Sequence, residues 1–487
     1  MSTPQTTTGP AAADPVSRTR RRRAFAGAIS GHAIEWYDYG AYGFLAVYVG
    51  QLFFAADDPA LGLLSSFAVF ALSFFMRPLG GIFFGPLADR LGRKGTMMAV
   101  ILMMSGATFL IGALPTYETV GVFAPILLVL LRCIQGFSAG GEIGTVTAFI
   151  AEYAGPGRRG YATSWLMFTA VMGLVLGSLV ANGMIVALGD EAMLAWGWRV
   201  PFLVAGPLGI VGLYIRLKLE DTPEFQAIAA RGGQAKSPLR EAGQWMRPIA
   251  LVFGIITVHA SIFYLVLTFA STFLTTHLGF DDTTKFWYVL AAGVLAAIVM
   301  PIGGWFTDRY GRKPFLLVIG VLATASMMWF FWSAPGATAQ SFVWPLMACA
   351  VTFGLYASST YALMTELLPT HIRSTGIALG YNVPVAVFGG SAPFIASWLI
   401  SLDGDITLPW TFFVGTGVLS LASLLVLKKS DFARVVQVSG GHLPPDLATG
   451  ARGSAQTTEP VRDASTTGPD AVAEQGAGES EYGKVQL

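Results

Sequence analysis

The sequence predicts an all-α polytopic membrane protein with twelve transmembrane helices in two six-helix, pseudo-symmetric bundles. Three observations carry this expectation. Of 487 residues, 54% are hydrophobic and only 12% charged, with a mean hydropathy of +0.60, whereas soluble domains average about 25% charged residues. Apolar runs long enough to cross a hydrocarbon core of ~30 Å recur along almost the whole chain. One pattern, G-x-x-x-D-R-x-G-R-K, occurs twice, as Gly85 to Lys94 and as Gly304 to Lys313.

The chain divides in order. Residues 1–23 form a basic arm, expected to be disordered, whose first part is rich in Thr, Pro and Ala. Six spans are expected over 24–219, at about 24–54, 61–87, 95–115, 121–150, 160–187 and 197–219. A polar segment over 220–248 is read as a cytoplasmic central loop. Six more spans fill 249–428, at about 249–277, 285–307, 314–333, 340–365, 373–400 and 407–428. The Gly-, Pro-, Thr- and Ala-rich residues 429–487 read as a disordered cytoplasmic tail. The basic arm is not a signal peptide, because the apolar run after it is too long and carries two acids. Cys133 and Cys349 lie inside apolar runs and predict packing, not a disulfide.

Orientation follows from the basic residues. Of 30 Lys and Arg, all but Arg77, Arg132, Arg199 and Lys285 fall at the two ends of the chain or in alternate loops, which assigns both termini to the cytoplasm. The opposite loops are acidic, with Asp57, Asp58, Asp190, Glu191, Asp281, Asp282, Asp403 and Asp405. The two halves repeat in parallel. Besides the decapeptide, Glu152 and Arg159 after span four have the same spacing as Glu366 and Arg373 after span ten. Parallel repeats about an axis along the membrane normal allow two halves to rock around a central site.

The chemistry concentrates in the first span. At ~1.5 Å per residue, Glu35 lies ~16 Å and Asp38 ~21 Å from the helix start. Each ionised acid at such depth costs on the order of 2.5–3.5 kcal/mol, and buried acids of this kind are by default functional. Glu35, Asp38, Tyr39 and Tyr42 share one face, which His32 joins one turn earlier. Arg77 in span two lies level with Glu35. Arg132, Gln135 and Glu142 line one face of span four, so Asp38 and Arg132 can meet near the midplane. Arg77, Arg132 and Arg199 balance Glu35, Asp38 and Glu142. The pairs read either as permanent salt bridges or as a switch. In the switch, Glu35, Asp38 or Glu142 takes a proton, and a released Arg77 or Arg132, helped by Gln135, Tyr39 and Tyr42, holds a substrate carboxylate. Arg199, near the outer mouth, reads as a cap or a snorkelling cation, and His259 as a packing residue. Tyr264, Tyr356, Tyr361, Tyr381 and Asn382 are the polar handles of the second half. Gly173, Gly177 and Gly354 predict close helix contacts.

At the repeated decapeptide the chain resembles the major facilitator superfamily. At Glu35-Trp-Tyr-Asp38, Arg77-Pro-Leu-Gly-Gly81, Arg132 to Glu142, Gly197-Trp-Arg199-Val-Pro201 and Glu366-Leu-Leu-Pro369 it resembles the metabolite:proton symporter family. The resemblance implies secondary active, proton-coupled import of a small polar metabolite such as an organic acid. A proline or betaine importer is the alternative, with Trp36, Tyr37, Tyr39 and Tyr42 offering aromatic faces to a quaternary amine; an antiport exporter is the remote one. It also implies that the loop residues latch the halves in the outward-open state: Gly85, Asp89, Arg90, Gly92 and Arg93; Asp308, Arg309, Gly311 and Arg312; and Glu152, Arg159, Glu366 and Arg373. His32 stands where many relatives have Asn and inherits no role. No Walker A loop, H-E-x-x-H, G-x-S-x-G or metal-spaced Cys/His set is present. The expectations are therefore no enzyme activity, no cofactor beyond the coupling proton, no metal and no nucleic acid. The expected surroundings are a plasma (inner) membrane bilayer, with the monomer as the working unit.

Overall fold

The computed structural model describes residues 18–54, 59–154, 157–432 and 435. The first half contributes Arg18–Phe53, Pro59–Leu91, Arg93–Ala113, Phe123–Ala154, Arg159–Ala192 and Arg199–Leu217 as spans one to six. In the second half, span seven is Met246–Tyr264 continued through a π turn, Leu265–Phe269, into Ala270–Thr276. Spans eight, nine and ten are Asp282–Tyr310, Arg312–Trp332 and Ala339–Glu366. Span eleven is Arg373–Pro384, a π turn over Val385–Gly390, and Ala392–Asp403; span twelve is Trp410–Val426. Among the described residues, ten helices are long and apolar enough to cross a membrane. Span one is diluted by its acids and tyrosines, and span twelve is short.

Close backbone approach builds each bundle. A Cβ on Gly136 or Gly140 of span four would overlap the carbonyl oxygens of Ser73 or Arg77 in span two. One on Gly173 or Gly177 of span five would strike Ala33 or Tyr37 in span one, and one on Gly354 would strike Ala296. These glycines allow the contacts that bring the charged faces of spans one, two and four together. The halves meet along spans two and eleven and along spans five and eight. Gly92 and Gly311 each sit at a sharp turn with positive φ, 110° and 93°, which explains glycine there in both copies of the decapeptide. Pro384 has no N–H to give, and the π turn begins directly after it.

Several boundaries differ from expectation. Helix one begins at Arg18, so the end of the arm that was expected to be disordered is helical. At 36 residues it is about 54 Å long, more than a bilayer core needs. The central loop is not featureless: it holds helices Pro223–Ala230 and Pro238–Ala242. The first is started by Thr222, whose side chain accepts from the Phe225 N–H, with proline next in line. Residues 429–432 are helical, and Asp431 is bridged to Arg247 at 3.0 Å, so the fold runs past the expected start of the tail. The expectations for residues 1–17, for Asp57 and Asp58, and for 436–487 lie outside the described residues.

Candidate functional site

Besides the pairs of Arg93 at the cytoplasmic end, three arginine–carboxylate pairs are buried in the first half among the described residues, with side chains at most 3% exposed. Glu35 meets Arg77 at 3.3 Å, Asp38 meets Arg132 at 2.9 Å and Glu142 meets Arg216 at 2.7 Å. The third arginine is Arg216, not Arg199. Arg199 donates instead to the carbonyls of Gly112 and Leu114 and stacks on Trp198. Arg216 reads in the sequence as a loop cation at the end of span six. It lies on the same face as Gly209 and Gly212, and it also donates to the Met97 carbonyl. Gly31 makes room for it: a Cβ there would collide with the guanidinium.

Asp38, Arg132, Gln135 and Tyr42 form one group inside the first bundle. Gln135 donates to Asp38 at 3.2 Å and to Thr108 at 2.6 Å. Arg132 lies 3.6 Å over the Tyr42 ring, and Tyr42 is tied to Ser66. Tyr42 packs with Leu45, Leu128 and Phe202, all of the first half. Arg132, Gln135 and Tyr42 thus lie inside the first bundle, engaged by Asp38, Thr108 and Ser66, while Arg132 Nε and Nη2 and Gln135 Oε1 are buried without a hydrogen-bond partner. Tyr37 also turns away, donating to the Pro201 carbonyl.

Arg77 and Tyr39 do face the other half. Five aromatic rings close a circuit: Trp36–Tyr39 at 5.5 Å, Tyr39–Phe74 at 5.5 Å, Phe74–Tyr264 at 5.5 Å, Tyr264–Phe263 at 5.0 Å and Phe263–Trp36 at 5.0 Å. Three rings come from spans one and two and two from span seven. The Arg77 guanidinium carbon lies 5.6, 5.0 and 4.8 Å from the Trp36, Tyr39 and Phe74 centroids. Arg77 Nε, Tyr39 Oη and Tyr264 Oη are buried without hydrogen-bond partners, three donors available to an acceptor. Beyond Phe263 the lining continues through Phe353 to His259, Tyr361 and Tyr381, with Tyr361 donating to Tyr381 at 2.9 Å. Tyr356 belongs to packing, bonded to Ser420 and the Ile255 carbonyl. Asn382 reaches across to the Gly140 carbonyl at 2.8 Å. An apolar cleft between spans one, five, seven and eight, lined by Phe44, Leu174, Leu267 and Phe286 among others, lies apart from these charges.

Behind Arg77, a ring nitrogen of His32 and one oxygen each of Glu35 and Glu142 lie within 4.8 Å of one another. Arg77 and Arg216 already hold the two carboxylates, so the set is electrically balanced without an added cation.

The cytoplasmic ends are bridged between halves. Asp89 accepts from the Ser374 and Thr375 N–H groups, at 3.1 and 2.8 Å, at the start of span eleven. Its repeat mate Asp308 accepts from Gly160 and Tyr161, at 2.8 and 2.7 Å, at the start of span five. Each carboxylate thus sits on the positive end of a helix of the opposite half. Gly85 lets span two approach Thr375. Arg93 bonds Asp89 and Glu152, both at 3.3 Å, and Arg312 bonds Asp308 at 2.6 Å and Glu366 at 3.1 Å. Arg373 holds Glu152 and Glu224 at 2.8 Å, and Arg159 holds Glu224 at 2.8 Å. Glu224, on the loop helix, was not singled out in the sequence. Burial alone would raise its pKa, but Arg373 and Arg159 outweigh this and hold it near about 2. Arg90 and Arg309 are corrected: both are exposed, and Arg309 lies beside Trp305 and Tyr310, outside the latch.

The profile of the Major Facilitator Superfamily matches residues 28–384. A glycine betaine/proline/ectoine/pipecolic acid transporter of Dickeya dadantii is 35% identical over 425 residues, 84% of each chain. An alpha-ketoglutarate permease of Escherichia coli is 33% identical, covering 86% of this chain and 97% of its own. A citrate-proton symporter of Salmonella typhi is 32% identical, covering 82% and 92%. The solved proton:xylose symporter aligns with a TM-score of 0.70 at 18% identity, over 83% of this chain and 95% of that one; at that identity the likeness is one of fold.

Proposed function

Because the chain belongs to the Major Facilitator Superfamily, we propose that it is a proton-coupled symporter that imports a small carboxylate-bearing metabolite by alternating access. The observation that carries the reading is the five-ring aromatic circuit shared by the two halves, with Arg77 against it and Glu35 behind Arg77. Protonation of Glu35 removes the charge that holds Arg77, and the freed guanidinium takes the substrate carboxylate by a two-point bond. Proton and anion then enter together. Glu142 with Arg216 is the second protonatable pair. The protein works as a monomer in the inner membrane with both termini in the cytoplasm, and the one-sided distribution of Lys and Arg supports that orientation.

A second reading has its own support. A single guanidinium against three rings of a five-ring circuit suits one carboxylate joined to a cationic amine, as in a betaine, better than a di- or tricarboxylate. Both are tested by uptake into proteoliposomes across labelled glycine betaine, proline, 2-oxoglutarate, citrate and shikimate, with and without an inward acid gradient. Gradient-driven accumulation of one of them is the expected result. No gradient effect on any solute the protein moves refutes the coupling.

A further inference from the structure

We infer that His32 is the residue through which the coupling proton reaches Glu35, and that Trp36 decides when His32 can take it up. The inference rests on the proton-coupled reading above and names a residue that reading does not use. Indole N–H is only a donor. Trp36 Nε1 donates to His32 Nε2 at 3.2 Å, so Nε2 carries its lone pair and the ring proton sits on Nδ1. Nδ1 is buried with no hydrogen-bond partner and faces Glu35 Oε2, itself unpartnered, at 3.6 Å. An imidazolium would set one N–H against another at Trp36, so while that bond stands His32 stays neutral.

Trp36 is held from the other half, 5.0 Å from Phe263 of span seven. Separation of the halves removes Phe263 and frees the indole to leave Nε2. A hydronium ion then gives a proton to the Nε2 lone pair and leaves as water, and the Nδ1 proton passes to Glu35 Oε2. One N–H bond forms as a hydronium O–H bond breaks, and one O–H bond forms at Glu35 as the Nδ1–H bond breaks. The ring ends neutral as its other tautomer, and Glu35 has gained one proton. The charged groups around His32 are Glu35 on its own helix, Arg77 from span two, Glu142 from span four and Arg216 from span six. Spans three and five carry no ionisable side chain at this depth, from 95 to 113 and from 162 to 189. Span seven adds Tyr264 of the circuit and, beyond it, His259. The two arginines and two carboxylates offset one another, so the neutral ring rests on its burial, 1% exposed, and on the Trp36 bond.

The test uses the full chain in nanodiscs, labelled with ¹⁵N-histidine. Only five histidines are present, and His32→Asn identifies the His32 signal. In the wild type the signal should stay that of a neutral ring protonated at Nδ1 from pH 8 to pH 5. In Trp36→Phe, which keeps a ring against Phe263, an imidazolium signal should appear in that range. A wild-type His32 that protonates there, or a Trp36→Phe protein whose His32 does not, overturns the inference. The wild-type titration decides alone should the variant fail to fold. In proteoliposomes, a one-unit acid gradient drives about tenfold accumulation per proton. His32→Asn should lose that factor for labelled glycine betaine or 2-oxoglutarate while exchange across the membrane persists; unchanged accumulation overturns the relay. If the wild type accumulates none of the five labelled solutes under the gradient, the symport reading fails, and the histidine spectra still decide what Trp36 does.

Discussion

Glu35 and Asp38 sit one turn apart, yet they have different surroundings and should fail differently. Glu35→Gln fixes the site beside Arg77 as neutral, so substrate exchange should continue while gradient-driven accumulation is lost. Accumulation at the wild-type level would move the coupling to Glu142. Asp38→Asn leaves Arg132 charged and buried inside the first bundle, and such a loss costs roughly 3–5 kcal/mol. Its main effect should be a lower melting temperature in detergent, restored at least in part by Arg132→Met in the same chain. If Asp38→Asn is as stable as wild type but uncoupled, the separation drawn between the two acids is wrong. Depth along a helix was legible from the sequence: both pairs were expected at matching levels, and both formed. Rotation about the helix axis was not. Whether Arg132 points at substrate or at Asp38 and Tyr42 depends on the packing of spans one, two and four, which no single helix encodes. Arg216 was missed for a related reason, since a cation at a span end looks the same whether it leaves the membrane or turns back into it.

At the scale of elements, the decapeptide works as an N-terminal cap delivered from the opposite half. Asp89 and Asp308 each accept two backbone N–H bonds from helix starts, and these bonds must break whenever the cytoplasmic side opens. Asp89→Asn and Asp308→Asn should therefore slow turnover and leave equilibrium substrate affinity nearly unchanged. A collapse of affinity with normal turnover would sink the latch assignment. The glycines, the aspartates and Arg93 and Arg312 of this device were legible because a turn with positive φ and a capping carboxylate leave fixed letters at fixed spacing. Glu224 was not, because its role depends on where helix Pro223–Ala230 docks. Its carboxylate is held at about 2 by Arg373 and Arg159 despite burial. The stabilisation from this depressed pKa is complete above the ordinary value near 4.5 and is lost only as pH falls toward 2. The Glu224 bridge should thus be constant from pH 5 to pH 8, and any pH dependence of transport in that range has to arise elsewhere.

For the molecule as a whole, the twofold sequence repeat is copied by the aspartate caps but not by the arginines beyond them. Arg373 reaches Glu152 in the first half as well as Glu224 of the loop, whereas Arg159 reaches only Glu224. The repeat counterpart of Glu152, Glu366, is engaged by Arg312 within the second half. The closed cytoplasmic side is therefore fastened unequally: Arg373 ties both halves and the loop through carboxylates, while Arg93 crosses to the Thr370 carbonyl and stacks on Phe225 of the loop helix. Alternating access requires that fastening to be weak enough to release and strong enough to exclude the inward-facing state before substrate and proton are loaded. Arg373→Gln leaves Glu152 with Arg93 as its one cation beside Thr222, and Glu224 with Arg159 beside Thr370, so it should shift the resting population toward the inward-open form much further than Arg159→Gln. Spin labels at the cytoplasmic ends of spans four and ten, read by pulsed electron paramagnetic resonance in nanodiscs, report that population as a longer distance. Equal shifts from the two substitutions would mean that the halves are held by the symmetric caps alone, and that the loop helix and Arg373 only accompany the closure.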